Sequence, residues 1–439
     1  MAASAQGSRI PRRALLGVFG GLFCGYLGLT SAIPVLPGFV RERFGAGDLA
    51  VGLVVTATAL TALLVRPVSG HLADTYGHRR VMQAGALLVA TGGLLYFLPL
   101  GLGGLVAVRL LLGVGEAALF TAGAVWVVSL APHERRGQLI GLYGVSMWGG
   151  ISAGTFLGAV LLDLGYGAVW GFNAAAALLG LLLIVSVPAS SRAARPVTEP
   201  QDVEPQAAEP RVAGQPLTEP RVTEPALKEP PVAEGPAKDP RGRWETLLPR
   251  PALLPGLALA LAAAGYAGVA AFVVLHLQAR GTGSGVVALS VFSAVYAGTR
   301  LVIGHLPDRL GARRVATWSG IGEAAGLLII ALAPNLPVAV IGSVVMGVGF
   351  SLLHPSLALM VMDRTDPSRQ GAALGAYTSF WDLGLSVWGP LLGMVAAGLG
   401  YPAVFVAGAC CAAVAVAVAL SVRRPDAEPA ASSRVRSTP

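Results

Sequence analysis

Twelve long apolar runs constrain this chain more than any other feature. They cover about 14–39, 49–70, 80–100, 102–130, 136–162, 165–188, 251–278, 284–306, 313–333, 336–362, 370–397 and 400–422. A helix needs about 20 apolar residues to cross the hydrocarbon core. Helix is the expected form, because a lone strand in lipid leaves its backbone groups unpaired. Only 12% of the residues are charged, against about 25% in a soluble domain, which excludes a large soluble helical protein. Cys24, Cys410 and Cys411 all fall inside apolar runs. Without metal-ligand spacing they read as small hydrophobes.

A duplication divides the runs into two sets of six. Gly70-His-Leu-Ala-Asp74-Thr-Tyr-Gly77-His-Arg79-Arg80 returns as Gly304-His-Leu-Pro-Asp308-Arg-Leu-Gly311-Ala-Arg313-Arg314, 234 positions later (304 − 70). The register extends to Gly113 and Gly347, Gly115 and Gly349, Tyr143 and Tyr377, and Gly150 and Gly384. A period this long means a duplicated domain rather than a solenoid. Each copy reads as a short polar hinge between two apolar runs.

The charges set topology. With the N-terminus inside, the inner loops carry Arg79, Arg80, Arg135, Arg136, Arg309, Arg313, Arg314, Arg364 and Arg369, and the outer loops only Arg41, Arg43 and Arg280. This bias places both termini in the cytoplasm, with the plasma membrane as the expected location. The net charge of +8 is spread over short loops and tails with no basic stripe, so nucleic acid is not an expected partner. The organisation reads as a tail 1–13, a six-helix bundle 14–188, a linker 189–250, a second bundle 251–422 and a tail 423–439. Glu-Pro recurs through the linker, at 199, 204, 209, 219, 224 and 229. That composition predicts a disordered tether.

The duplicated hinge resembles the G-x-L-x-D-x-x-G-[RK]-[RK] signature of the major facilitator superfamily. Arg109-Leu-Leu-Leu-Gly113 is similar to the R-x-x-x-G signature of its proton-coupled members. Gly150-Ile-Ser-Ala-Gly154-Thr155-Phe-Leu-Gly158-Ala159 resembles the antiporter signature, with Thr155 in place of its Pro and Ala159 in place of its last Gly. The resemblance implies an all-α fold of two pseudo-symmetric six-helix bundles, a central cavity and alternating access by rocking of the halves. It also implies a conformational lock on the inner side, built from Gly70, Asp74, Gly77, Arg79, Arg80, Gly304, Asp308, Gly311, Arg313 and Arg314. Asp74 and Asp308 are placed at helix ends, where a helix N-terminus favours a carboxylate.

Ionisable residues inside spans are costly and mark a cavity or a partner. Glu116 and Asp382 lie near mid-span, one in each half, and are the leading candidates for proton coupling. Arg109 is the expected counter-charge, since it shares a helix face with Glu116 seven positions on. Glu323 and His354 are the next candidates, and Arg66 and Arg300 are expected to snorkel toward the inner end. Tyr143, Trp148, Phe380, Trp381 and Trp388 are candidates to line a substrate cavity, with some of them serving packing instead. Gly150-Ile-Ser152-Ala-Gly154 matches a nucleophile elbow only by accident, because it lies inside an apolar span rather than at a strand–turn–helix. No phosphate-binding loop or zinc-protease motif is present, so an enzyme is not expected, nor any cofactor beyond a proton gradient. The expected function is proton-coupled efflux of small organic molecules such as drugs or metabolites, by a chain active as a monomer. Its expected partners are substrate, protons and the bilayer. The alternatives are a symporter that imports a metabolite and a transporter-like sensor that moves nothing.

Overall fold

The computed structural model describes residues 12–130, 136–187, 249–282, 285–366 and 370–422, and there it is helical without a strand. The first half holds α1 (Arg12–Ser31), α2 (Leu36–Phe44), α3 (Asp48–Tyr76), α4 (His78–Leu95), α5 (Gly101–Leu130), α6 (Arg136–Leu161) and α7 (Tyr166–Ser186). The second holds α8 (Arg250–Ala279), α9 (Gly285–Ile303), α10 (Leu306–Leu310), α11 (Ala312–Leu332), α12 (Leu336–Met362), α13 (Gln370–Leu399) and α14 (Tyr401–Ser421). Eleven stretches are long and apolar enough to cross a bilayer among the described residues. The expected third span is the exception. Its helix α4 has 18 residues and opens on His78, Arg79 and Arg80, which leaves it short of an uninterrupted apolar crossing. The all-α, twelve-helix architecture stands, with α2 and α10 as short additions. The tail residues 1–11 and 423–439, residue 188, the linker residues 189–248, Arg135 and Arg369 lie outside the described residues.

Proline explains both additions. The run expected at 14–39 breaks into α1 and α2 across residues 32–35, where Pro34 removes a donor and disfavours helical geometry at Ile33. The two hinge copies also part here. Gly70 through Tyr76 stay inside α3, so the first copy is a helix end rather than a loop, and the chain turns at Gly77 with φ 93°. In the second copy Pro307 replaces Ala73. The helix stops at Ile303, a five-residue helix restarts at Leu306, and the turn comes at Gly311 with φ 90°. Both turns use the left-handed region open to glycine.

Close packing follows the glycine stripe of α6. A Cβ at Gly150, Gly154 or Gly158 would collide with the α1 backbone at Phe23, Leu27 or Ser31. The stripe is therefore a contact surface between α6 and α1. The duplication survives at the level of single hydrogen bonds. The Tyr143 hydroxyl donates to the Phe120 carbonyl at 2.8 Å, and the Tyr377 hydroxyl, 234 positions on, donates to the His354 carbonyl at 2.8 Å. The halves meet where α3 packs on α13 and α6 on α9. A Cβ on Gly52 would strike the Gly389 carbonyl, and one on Gly393 the backbone of Asp48. Exposed Leu16, Leu64, Leu182 and Leu332 cover the outside, as a lipid-facing surface requires.

Candidate functional site

Residues of α1, α3, α5 and α6 from the first half and of α8 and α13 from the second enclose a cavity of about 70 Å³, lined among others by Tyr26, Thr30, Thr56, Arg109, Glu116, Trp148, Tyr266, Trp381 and Asp382. That volume holds several waters and falls well short of the about 300–1,000 Å³ of a small-molecule pocket. In this conformation the site is closed down. The cavity brings together Glu116 from α5 and Asp382 from α13, the two carboxylates singled out in the sequence.

Their partners differ from expectation. Asp382, 1% exposed, forms an ion pair with Arg66 of α3 across the seam. Arg66 does not snorkel: it turns inward, and its guanidinium carbon lies 4.9 Å from the Phe120 ring centroid. Helical spacing cannot reveal this pairing, because the partners sit on different halves. Glu116 accepts from the Tyr26 hydroxyl at 3.3 Å. Arg109 spends its donors elsewhere. It gives hydrogen bonds to the carbonyls of Val54 at 2.9 Å and Val55 at 2.6 Å, and to the Thr58 hydroxyl at 3.3 Å. It lines the cavity but hydrogen-bonds α3 instead of Glu116, so it clamps α5 to α3.

Glu323 lies away from this cavity. It is 0% exposed on α11, packed where Gly265 of α8 leaves room, and neither carboxyl oxygen has a hydrogen-bond partner among the described residues. His354 of α12 stands with its ring 5.9 Å from Trp148 and 5.3 Å from Tyr377, and its Nδ1 has no partner among the described residues. Of the five aromatic candidates, Trp148 and Trp381 line the cavity. Tyr143 is held by the Phe120 carbonyl. Trp388 Nε1 donates to the Ala260 carbonyl at 2.8 Å, and Phe380 fills the space beside Gly256. Sequence reasoning missed Tyr26, Tyr266 and Tyr296. An aromatic in an apolar run carries no mark that separates cavity from packing.

The duplicated register shows how the site became asymmetric. Glu116 corresponds to Phe350, Asp382 to Trp148, Arg109 to Ser343 and Arg66 to Arg300. One side of the seam is charged and the equivalent side is aromatic. There Trp148 lies against Tyr296, with centroids 4.9 Å apart and the rings tilted by 42°, and Arg300 donates to the Ser351 carbonyl.

At the end bearing the duplicated hinges, Arg79 donates to the Val185 carbonyl at 2.7 Å, and Arg313 makes the matching contact to the Leu420 carbonyl. Each neutralises the carbonyl end of the last helix of its half. Asp74 sits in the last turn of α3, not at a helix N-terminus. Its side chain is 72% exposed, with His78 3.9 Å away. Asp308, Arg80 and Arg314 are also exposed. Gly70 lies within α3 and Gly304 between α9 and α10. At the opposite end Arg41 pairs with Asp48 and donates to the Tyr401 hydroxyl, which donates to Asp48 at 3.1 Å.

The family model described as Major Facilitator Superfamily matches residues 18–289 and 277–439. An uncharacterized MFS-type transporter of Burkholderia mallei is 31% identical over 405 residues, covering 90% of this chain and 88% of that protein. One of Salmonella typhimurium is 29% identical over 418 residues, covering 92% and 95%. The crystal structure of the human organic anion transporter MFSD10 (TETRAN) superposes with a TM-score of 0.63 at 18% identity, covering 93% of this chain and 99% of that one.

Proposed function

The chain belongs to the major facilitator superfamily of membrane transporters, and from that premise we propose that it is a proton-coupled antiporter exporting small organic molecules by alternating access. The observation that carries this reading is the meeting of Glu116 and Asp382, one from each half, at a single cavity. A carboxylate facing a cavity can hold either a proton or the polar end of a substrate, and competition between the two is the basis of exchange. Burial penalises the ionised form and a neighbouring Arg favours it, so a change of surroundings as the halves rock drives proton uptake on one side and release on the other.

Asp382 has the second role. Its pair with Arg66 ties α13 to α3. A proton on Asp382 removes one charge of the pair and loosens the tie. Glu116, held only by Tyr26 among its described partners, is the exchange site. The positive-inside bias supports a plasma-membrane protein with both termini and the hinge loops in the cytoplasm. In this reading the gradient is the energy source and the bilayer, protons and substrate are the partners of a monomer.

The test is flux in proteoliposomes under an imposed pH gradient. The wild type should expel a substrate as protons enter, and Glu116→Gln should lose gradient-driven flux while keeping substrate exchange at equal pH. Movement of substrate in the same direction as protons would make the protein a symporter. Unaltered flux in Glu116→Gln would remove Glu116 from coupling.

A further inference from the structure

Beside the main cavity lies a smaller chamber of about 10 Å³ that shares Ile33, Trp148, Ile151 and Tyr266 with it. It has room for about one water. Here the halves touch through rings. Trp148 of α6 lies 4.9 Å from Tyr296 of α9 and 5.6 Å from Trp381 of α13, centroid to centroid. Trp148 is 4% exposed and Tyr296 3%, yet among the described residues neither Trp148 Nε1 nor the Tyr296 hydroxyl has a hydrogen-bond partner. A buried donor without an acceptor carries its full desolvation penalty.

Other buried rings of this fold avoid that penalty. Tyr143, Tyr377 and Trp388 each give their proton to a backbone carbonyl. Trp148 and Tyr296 do not, and they lie on opposite sides of the seam that must part for transport, next to the proposed substrate cavity. An indole N–H is a donor only, and a phenol donates readily. No residue lining the smaller chamber is charged, so the complement is a neutral acceptor between aromatic faces.

We infer that Trp148 and Tyr296 form a subsite for the carbonyl oxygen of an aromatic substrate, its two lone pairs taking one donor from each half. The inference rests on the central cavity being the substrate site, and it narrows the cargo to planar aromatic compounds bearing a ketone or amide oxygen. A carboxylate shares the acceptor chemistry but would bring a charge into an uncharged chamber.

The test measures binding of three probes to the purified full-length protein: 2-acetylnaphthalene, 2-isopropenylnaphthalene and 2-naphthoate. The first two share a shape and differ by one oxygen. Wild type should bind the ketone about tenfold more tightly than the hydrocarbon, as two modest hydrogen bonds allow, and more tightly than the naphthoate. Trp148→Phe and Tyr296→Phe keep the rings and should each weaken ketone binding several-fold without touching the hydrocarbon. Equal binding of ketone and hydrocarbon, or variants that weaken both together, would mean that the donors serve only packing or a structural water. Tighter binding of naphthoate would overturn the neutral-carbonyl class. The antiport reading is tested separately by the Glu116→Gln flux assay. It stands if gradient-driven flux persists while the ketone shows no preference.

Discussion

Arg66 and Asp382 form an ion pair that joins the two halves of the molecule inside the membrane. Breaking such a pair on one side leaves a buried charge uncompensated, at a cost of about 3–5 kcal/mol, whereas replacing both partners with apolar residues is often neutral. Asp382→Asn should therefore lower the thermal unfolding midpoint of the solubilised protein. The double variant Arg66→Met with Asp382→Leu should recover most of the loss while remaining inactive in gradient-driven flux. A single variant as stable as wild type would show that the pair contributes nothing to holding the halves.

Proton and substrate competing for Glu116 give a definite sign to the pH dependence. A proton on the carboxylate removes the group that a substrate would contact, so apparent affinity should fall as pH falls. Glu116→Gln cannot titrate, and its substrate affinity should be flat over the same range. Binding measured across pH on both proteins checks this, and an equal slope in the two would place the titrating group elsewhere.

Arg109 separates a clamp from a counter-charge. It gives three hydrogen bonds to α3 from a 2%-exposed side chain. Hydrogen bonds involving a charged group contribute about 1.5–3 kcal/mol each. Arg109→Lys keeps the charge but cannot reproduce the planar fork. It should cut thermal stability and folded yield together, with the pH dependence of the remaining flux unchanged. A shifted pH profile at normal stability would restore the counter-charge role.

The legibility of this chain divides along the same line. Helix placement follows from hydrocarbon thickness and a backbone that must satisfy itself, and both are properties of local sequence. Ends such as Gly77 and Gly311 are also local, since their φ needs glycine. Glu116 and Asp382 stood out because charge within an apolar run is rare. What the sequence withheld are relations between helices. Arg66 near one end of its apolar run reads as a snorkelling residue, but its partner is 316 positions away. Arg109 and Glu116 share a helix face, yet the facing helix α3 offers carbonyls that take the guanidinium first. The hinge copies looked alike, and one substitution, Pro307 for Ala73, makes the first a helix end and the second a separate short helix.

The exposure of Asp74 bears on the proposed lock at the hinge end. In this conformation the exposed Asp74 pairs with His78 at 3.9 Å, so Asp74→Asn should leave the unfolding free energy within about 0.5 kcal/mol of wild type, as for surface substitutions. A lock formed in another state of the cycle would still slow transport when the charge is removed. Equal stability with slower flux is the expected pair of results, and unchanged flux would end the lock reading for this half.

The end opposite the hinges is held by a contact that can be loosened without touching the cavity. Tyr401 of α14 takes a hydrogen bond from Arg41 and gives one to Asp48, so one hydroxyl links α2 and α3 to the second half. Behind it the α3–α13 seam is tight at Gly52 and Gly389, and Thr56 lies beyond as part of the cavity wall. Tyr401→Phe keeps the ring and removes both bonds. With the Arg41 side chain 38% exposed to solvent, the modest range of about 0.5–1.5 kcal/mol applies to each hydrogen bond, and the closed arrangement should lose about 1–3 kcal/mol, which shifts a two-state equilibrium by roughly five- to 150-fold. The measurement is labelling of a cysteine placed at Thr56, in a background with Cys24, Cys410 and Cys411 replaced, by an impermeant thiol reagent added outside the cell. Tyr401→Phe should raise the labelling rate several-fold, and substrate should alter it in both backgrounds. An unchanged rate would mean that the Gly52–Gly389 seam alone keeps this end shut.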